Sequence, residues 1–319
     1  MKILATRPLP SSALERLRRE AVVESYPEDE TMPYEALLSA VAPCDGLICV
    51  LTDRIDAAVL AAAPRLKVVS TVAAGTDNID LRAAAARKIV VTNTPDALTE
   101  TTADLTWALL LATARRVVEA DQALRRGEFR AWQLMGHLGF DVHGKTLGIV
   151  GLGRIGRAVA RRARGFGMRV LYHNRSRVPD EVEAELGAEW VTLETLLESS
   201  HVVSLHTPLT KATHHMIDEN ALARMRSDAI LINVGRGPVV DEAALVTALR
   251  GQRIAGAGLD VYEREPELSA GLIELSNTVL LPHIGSASHE TRGRMADQAV
   301  NDCLAVLAGR APTHPVKLS

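Results

Sequence analysis

Short aliphatic runs alternate with stretches of helical spacing along nearly the whole chain, which is the pattern of an α/β protein with mainly parallel sheets. Early runs predict strands at Lys2–Ala5, Gly46–Leu51, Leu66–Val72 and Ile89–Thr92. Between them, Ser11–Glu20, Pro33–Ala42, Ala57–Ala62 and Leu81–Arg87 have helix-compatible spacing, so the first stretch is one small doubly wound unit. A long apolar helix is expected from about Glu100 to Ala120, with Thr99 as its cap, and an irregular arm, Gly127–Gly144, follows it. A second series predicts strands at Thr146–Val150, Arg169–Tyr172, Glu189–Val191, Val202–Leu205, Ala229–Asn233, Ala255–Leu259 and Val279–Leu281. The final helix is expected at about Glu290–Ala308. Two unequal domains result, and the second holds enough strands for a complete dinucleotide fold.

Composition narrows the class. The 319 residues are 47% hydrophobic and only 3% aromatic, which favours aliphatic helix–sheet layers over an aromatic-rich β-sandwich. A net charge of -3 provides no basic field for nucleic acid. Cys44, Cys49 and Cys303 form an odd set without metal-ligand spacing, and His201, His214, His215 and His289 show no metal-like arrangement, so no metal is expected. The start, Met1 to Arg7, turns polar too early for a signal peptide, and no apolar run reaches the roughly 18 residues of a membrane span. The cytoplasm is the expected compartment.

Gly151-Leu152-Gly153-Arg154-Ile155-Gly156 is a G-x-G-x-x-G that follows the apolar strand Leu147–Val150 and opens a predicted helix. That context marks a pyrophosphate site, with Gly151 for the tight turn, Gly153 for backbone approach and Gly156 for helix–strand packing. The helix N-terminus offers free N–H groups to the phosphates. An NAD-preferring site places an acid at the end of the next strand to bind the ribose 2′-hydroxyl. Here the chain reads Tyr172-His173-Asn174-Arg175-Ser176-Arg177, with no acid. Arg175 can pair with a 2′-phosphate and Ser176 can donate to it, so NADPH is the expected coenzyme and NAD the second candidate.

Five blocks carry a family resemblance. They are Val72–Asp80, Gly144–Gly156, His206–Thr210, Asn233–Gly237, and Gly258–Pro266 together with Pro282–Ser286. In family order across nearly the whole chain, they make it similar to the D-isomer-specific 2-hydroxyacid dehydrogenases, in particular their glyoxylate/hydroxypyruvate reductase branch. The resemblance implies a flavodoxin-like substrate domain, residues 1–98 plus 286–319, with a Rossmann NAD(P)-binding domain, residues 99–285, inserted between its parts. It also implies an active site in the cleft and a homodimer built partly from the long helix and the arm. Trp132 is expected to reach the neighbouring active site.

Reducing a 2-keto acid requires a held carboxylate, a polarised carbonyl and a proton delivered as hydride arrives. Arg236, flanked by Gly235 and Gly237 just after a predicted strand, offers a permanently charged planar fork for a carboxylate or carbonyl oxygen. His283, just after the last strand of the second series, suits proton donation near neutral pH. Glu265 is its expected partner, because a carboxylate on the far ring nitrogen fixes the tautomer and favours imidazolium. Glu263 is the competitor for that place, but Glu265-Pro266 matches the family pattern. By the same resemblance, Thr102, Thr207, Pro208, Val234, Gly235, Asp260 and Gly285 border the cofactor. Ala74 and Gly75 present amides to the substrate carboxylate, while Leu51 and Ser286 meet the group beyond the carbonyl. The implied reaction converts glyoxylate and hydroxypyruvate to glycolate and D-glycerate. A longer phosphoglycerate dehydrogenase would carry a C-terminal extension beyond Ser319, and a phosphite-oxidising relative would place Lys where Ala74 stands. A non-catalytic dinucleotide sensor is the alternative outside enzymes, against which Arg236, Glu265 and His283 argue together.

Overall fold

The computed structural model describes residues 1–317; residues 318 and 319, the end of the expected substrate domain, lie outside the described residues. The chain divides into two compact units, Met1–Leu98 with Ser286–Ser319, and Thr99–Gly285.

The first unit runs β1 (Lys2–Ala5), α1 (Ser11–Glu20), β2 (Val22–Ser25), α2 (Tyr34–Val41), β3 (Gly46–Cys49), α3 (Ala57–Ala62), β4 (Val68–Thr71), α4 (Leu81–Ala86) and β5 (Val90–Thr92). The second holds α5 (Thr99–Ala114), α6 (Val117–Arg125), β6 (Thr146–Val150), α7 (Arg154–Ala163), β7 (Arg169–His173), α8 (Asp180–Leu186) and β8 (Ala188–Trp190). It continues through α9 (Leu193–Ser199), β9 (Val202–Leu205), α10 (Glu219–Arg224), β10 (Ile230–Asn233), α11 (Glu242–Arg250), β11 (Gly256–Leu259) and β12 (Thr278–Leu280). The chain then returns to the first unit as α12 (His289–Leu307).

The first unit's sheet is parallel throughout, in the order β2-β1-β3-β4-β5, which is the flavodoxin-like order. β3 and β4 are buried on both faces, and the buried Ser70 hydroxyl of β4 is satisfied by accepting from Thr92 Oγ1 at 2.8 Å. Helix α12 covers one face, with Cys303 Sγ 3.0 Å from where a Cβ on Gly46 would stand. The tail then pairs along β5, where Val316 N–H donates to Val91 O at 2.8 Å. Both ends of the chain therefore build one core. Strand β2 was not expected from sequence: Val22–Ser25 is a half-exposed edge strand, and such an edge has no buried apolar run to announce it.

The second sheet is also wholly parallel, ordered β12-β11-β10-β9-β6-β7-β8. The strand order reverses between β6 and β9, the topological switch point at which such sheets bind ligands. Helix α5 lies over β10 and β11. The glycines of β11 make room for it: Cβ atoms on Gly256 and Gly258 would press on Thr113 and Leu109. Trp107 of α5 stacks on Phe166 at 4.4 Å and donates its indole N–H to Val159 O at 3.2 Å.

The single helix expected over Glu100–Ala120 is two helices. Arg116 takes a left-handed conformation (φ 53) and the chain breaks there. The returning arm causes the break, because Phe140 N–H takes the Ala114 carbonyl at 2.8 Å that the next helical turn would need. Thr99 is the first residue within α5 rather than its cap. Most large apolar side chains of α5, Trp107, Leu109 and Leu110, are buried in the unit's own core. The exposed ones lie beyond it: Phe129, Trp132, Leu134 and Met135 on the arm are each about 70% exposed or more. No described helix is long and apolar enough to cross a membrane.

Candidate active site

The chemistry-bearing residues of the second unit collect at the carboxyl ends of its strands. After β6, Gly151 has φ +100, a conformation that side chains other than glycine rarely adopt. It lies against the chain leaving β9: a Cβ there would be 2.8 Å from the His206 carbonyl. A Cβ on Gly156 would collide with Gly151 O, so the helix start and the turn are in contact. Helix α7 begins with no side-chain cap, so its first N–H groups have no capping side chain. Space stands open in front of Gly153, and beside the loop His206 Nδ1 and Thr207 Oγ1 are buried without a hydrogen-bond partner among the described residues. Uncapped amides, an open glycine and orphaned polar atoms at the switch point suit a pyrophosphate-bearing dinucleotide. Burial pushes the His206 imidazole down to about 3, so that ring is neutral.

The G-x-G-x-x-G loop is tied to the end of β7 by Leu152 N–H donating to Asn174 Oδ1 at 2.7 Å. The next two residues, Arg175 and Ser176, are exposed. Arg177 is committed to Glu183 through Nε (2.8 Å) and Nη2 (2.6 Å), whereas Arg175 has no ion-pair partner among the described residues. Arg154 and Ile155 occupy the first turn of α7, and Pro208 follows Thr207 on the loop after β9.

After β10, Val234 is buried and Gly235 and Arg236 are half-buried. Asn233 holds this loop from below. Its Nδ2 donates to Arg236 O and its Oδ1 accepts Gly235 N–H, both at 3.1 Å. Arg236 Nη1 donates to Gly235 O at 2.8 Å. A Cβ on Gly237 would overlap Tyr262 O, so the loops carrying Arg236 and Glu265 meet backbone to backbone.

His283 Nδ1 lies 2.8 Å from Glu265 Oε2, and because a carboxylate only accepts, Nδ1 carries the hydrogen. Tyr262 N–H donates to Glu265 Oε1 at 3.0 Å, and the Tyr262 hydroxyl donates to Leu281 O at 2.9 Å. Tyr262 therefore joins the Glu265 loop to the strand that delivers His283. Burial pushes the Glu265 carboxyl up, but the His283 bond and charge, Tyr262 N–H and Arg236 outweigh it and hold the group below its ordinary value. Glu263 is engaged elsewhere, 3.1 Å from His215 Nε2.

His283 itself has φ 53, left-handed for a bulky ring. Asp260 stabilises that turn. It is 1% exposed and takes Ile284 N–H and Gly285 N–H, each at 2.7 Å. Two bonds to a charged group, each about 1.5–3 kcal/mol, exceed the roughly 1–2 kcal/mol cost of one left-handed residue. Burial lifts the Asp260 carboxyl above its ordinary value against those bonds. Asp260 and Thr102, expected at the cofactor, are turned to the loop: Thr102 Oγ1 donates to Gly285 O at 3.1 Å. Of the remaining expected site residues, Leu51 follows β3, Ala74 and Gly75 follow β4, and Ser286 precedes α12, all in the first unit. Ala74 O there accepts Asn93 Nδ2 at 2.6 Å. Asn233 and Tyr262 were missed by sequence reasoning. A polar side chain closing the apolar strand Ile230–Asn233 was the available signal for the first, since buried polar groups need partners.

Residues 107–285 match the family model described as D-isomer specific 2-hydroxyacid dehydrogenase, NAD binding domain. A glyoxylate reductase of Thermococcus kodakarensis is 52% identical over 98% of this chain and 94% of its own length. A solved protein of Thermus thermophilus superposes with a TM-score of 0.94 at 50% identity, covering 99% of this chain and 100% of that one. An NADPH-dependent glyoxylate/hydroxypyruvate reductase from Sinorhizobium meliloti, solved with NADP and malonate, gives 0.88 at 36% identity over 99% and 96%. The switch-point glycine loop, the Glu265–His283 pair and these likenesses together place the chain in the D-isomer-specific 2-hydroxyacid dehydrogenase family, as an NAD(P)-dependent dehydrogenase.

Proposed function

We propose that the protein reduces glyoxylate and hydroxypyruvate to glycolate and D-glycerate, preferring NADPH, in the cytoplasm. The single observation that carries the reduction is the 2.8 Å contact between His283 Nδ1 and Glu265 Oε2. That contact fixes the tautomer and leaves the Nε2 proton for a keto oxygen. The dinucleotide would be held by Gly151, Gly153 and the first turn of α7, with Thr207 and Pro208 beside it. When bound, its reduced nicotinamide supplies the hydride to the carbonyl carbon. Arg236 binds the carboxylate and draws charge toward the keto oxygen. His283 delivers a proton to that oxygen and ends as neutral imidazole, its Nδ1 hydrogen still held by Glu265.

The preference for NADPH is supported by Arg175, which has no ion-pair partner among the described residues, and by the lack of an acid after β7. A panel of keto acids run with each coenzyme tests the reading. Glyoxylate and hydroxypyruvate are expected to exceed pyruvate and phenylpyruvate in kcat/KM, and NADPH to exceed NADH. Arg175→Ala is expected to raise the KM for NADPH about tenfold or more, the worth of a charged hydrogen bond, and to leave that for NADH unchanged. Equal kinetics with both coenzymes in the parent would remove the preference, and no turnover of any keto acid would remove the activity.

The assembly we propose is a homodimer. Its support is the arm: Phe129, Trp132, Leu134 and Met135 stand exposed, and residues 127–144 contain no helix or strand before β6. A second copy of the chain is the occupant that covers them. Light scattering at micromolar concentration should give twice the chain mass, and Trp132→Glu with Leu134→Glu should shift it to the monomer. A parent that scatters as a monomer contradicts the assembly.

A further inference from the structure

We propose that a staple running from the buried Tyr172 through Glu183 to the exposed Arg177 sets the coenzyme preference by holding Arg175 and Ser176 where they meet a 2′-phosphate. The inference rests on the reading of that loop as the 2′-phosphate site. Tyr172, in β7, is fully buried, yet it carries a hydroxyl that must be satisfied there. It makes two bonds, accepting from Val178 N–H at 3.0 Å and donating to Glu183 Oε1 on α8 at 2.5 Å. Glu183 in turn takes the Arg177 guanidinium by both Nε and Nη2. The far side of the loop is fixed as well: Asn174 Oδ1 accepts Leu152 N–H, and Asn174 O accepts the Trp190 indole N–H at 3.3 Å. The chain is thus anchored at residue 174 and again at 177 and 178. Arg175 and Ser176 are the residues suspended between the anchors.

Packing alone does not call for a tyrosine in β7. Phenylalanine would fill the same space without a polar atom to desolvate. The hydroxyl's two partners are instead the loop backbone and the helix behind it, so what it adds is a fixed path for the loop. The staple is also neutral as a unit. Arg177, with the Tyr172 hydroxyl, holds the Glu183 carboxyl down to about 2, so it stays charged and paired. The charge left for an anion on this loop is that of Arg175. Tyr172, Glu183 and Arg177 act through the loop and are positioning residues.

The test is direct binding of NADPH and NADH to the full-length protein, followed by coenzyme fluorescence, for the parent, Tyr172→Phe and Glu183→Leu. Tyr172→Phe is expected to weaken NADPH about tenfold, as an anchored loop becomes free, and to leave NADH and kcat at saturating NADPH unchanged. Glu183→Leu separates position from charge. Removing an anion near a phosphate site should tighten NADPH by electrostatics alone, whereas losing the staple should weaken it. Weaker NADPH binding in both variants, with NADH unaffected, supports the staple. Equal weakening of both coenzymes, no change, or tighter NADPH in Glu183→Leu overturns it. A parent that binds both coenzymes equally would instead refute the reading of the loop itself.

Discussion

Replacing His283 with alanine is expected to lower kcat for keto-acid reduction by about 10²–10⁴, the usual contribution of a positioned general acid. Coenzyme binding should stay intact, because the glycine loop and α7 that would hold it follow β6, whereas His283 stands after β12 and bonds Glu265. The pH dependence has a definite sign. Glu265 lies 2.8 Å from Nδ1, and against the cost of burial the His283 bond, Tyr262 N–H and Arg236 hold its carboxyl below its ordinary value, so it stays an ionised acceptor to lower pH than an ordinary glutamate. The contribution of this pair is therefore lost as pH falls through the lowered Glu265 value, and reduction declines on that acid side. Glu265→Gln keeps an acceptor oxygen but has no carboxyl to protonate, so that acid-side decline should vanish from its profile. A Glu265→Gln profile that overlays the parent would take Glu265 out of this role. A His283→Ala enzyme with unchanged kcat would move the acid to another group, and His206, neutral and buried, could not replace it.

Arg236→Gln is expected to lower kcat/KM for glyoxylate by about 10²–10³, the cost of removing one preorganised donor from a developing oxyanion. The loss should exceed that of an ordinary surface arginine because the loop is built to hold this one. Asn233 bonds both sides of it, and at Gly237 the backbone touches Tyr262 with no room for a Cβ. Arg236→Lys should recover little, since a point charge cannot reproduce the two parallel bonds of a planar fork. Substrate KM and kcat are both expected to suffer, and the Kd of NADPH neither to rise nor fall. If NADPH binding alone weakened, Arg236 would belong to the coenzyme phosphates rather than to the keto acid.

Much of this architecture was legible in the chain because it depends on local rules. The apolar strands Lys2–Ala5, Thr146–Val150 and Val202–Leu205 were bounded from their aliphatic runs, since buried parallel strands read as near-continuous apolar runs even where one polar residue such as Ser204 intervenes. Gly151 was legible because its turn excludes side chains. What escaped is set by partners far along the chain. The break after Ala114 depends on Phe140, and β2 is visible only as a neighbour of β1. The competition between Glu263 and Glu265 is resolved by His215 and His283, which lie on different loops. Tyr262 and the Tyr172–Glu183 contact escaped for the same reason: Leu281 and Glu183 lie on other elements, and spacing in sequence does not report that.

The left-handed backbone at His283 has a consequence for how this protein can evolve. Asparagine and glycine occupy that conformation more readily than an imidazole-bearing residue, so substitution by either would relax the turn. Selection for heat resistance alone would therefore draw position 283 away from histidine, while selection for turnover keeps it there. The opposing pressures meet at one residue, and Asp260 is what makes the compromise tolerable. A lineage freed from catalysis, retaining the fold only to sense a dinucleotide, would be expected to lose His283 first and to become harder to melt as it did so.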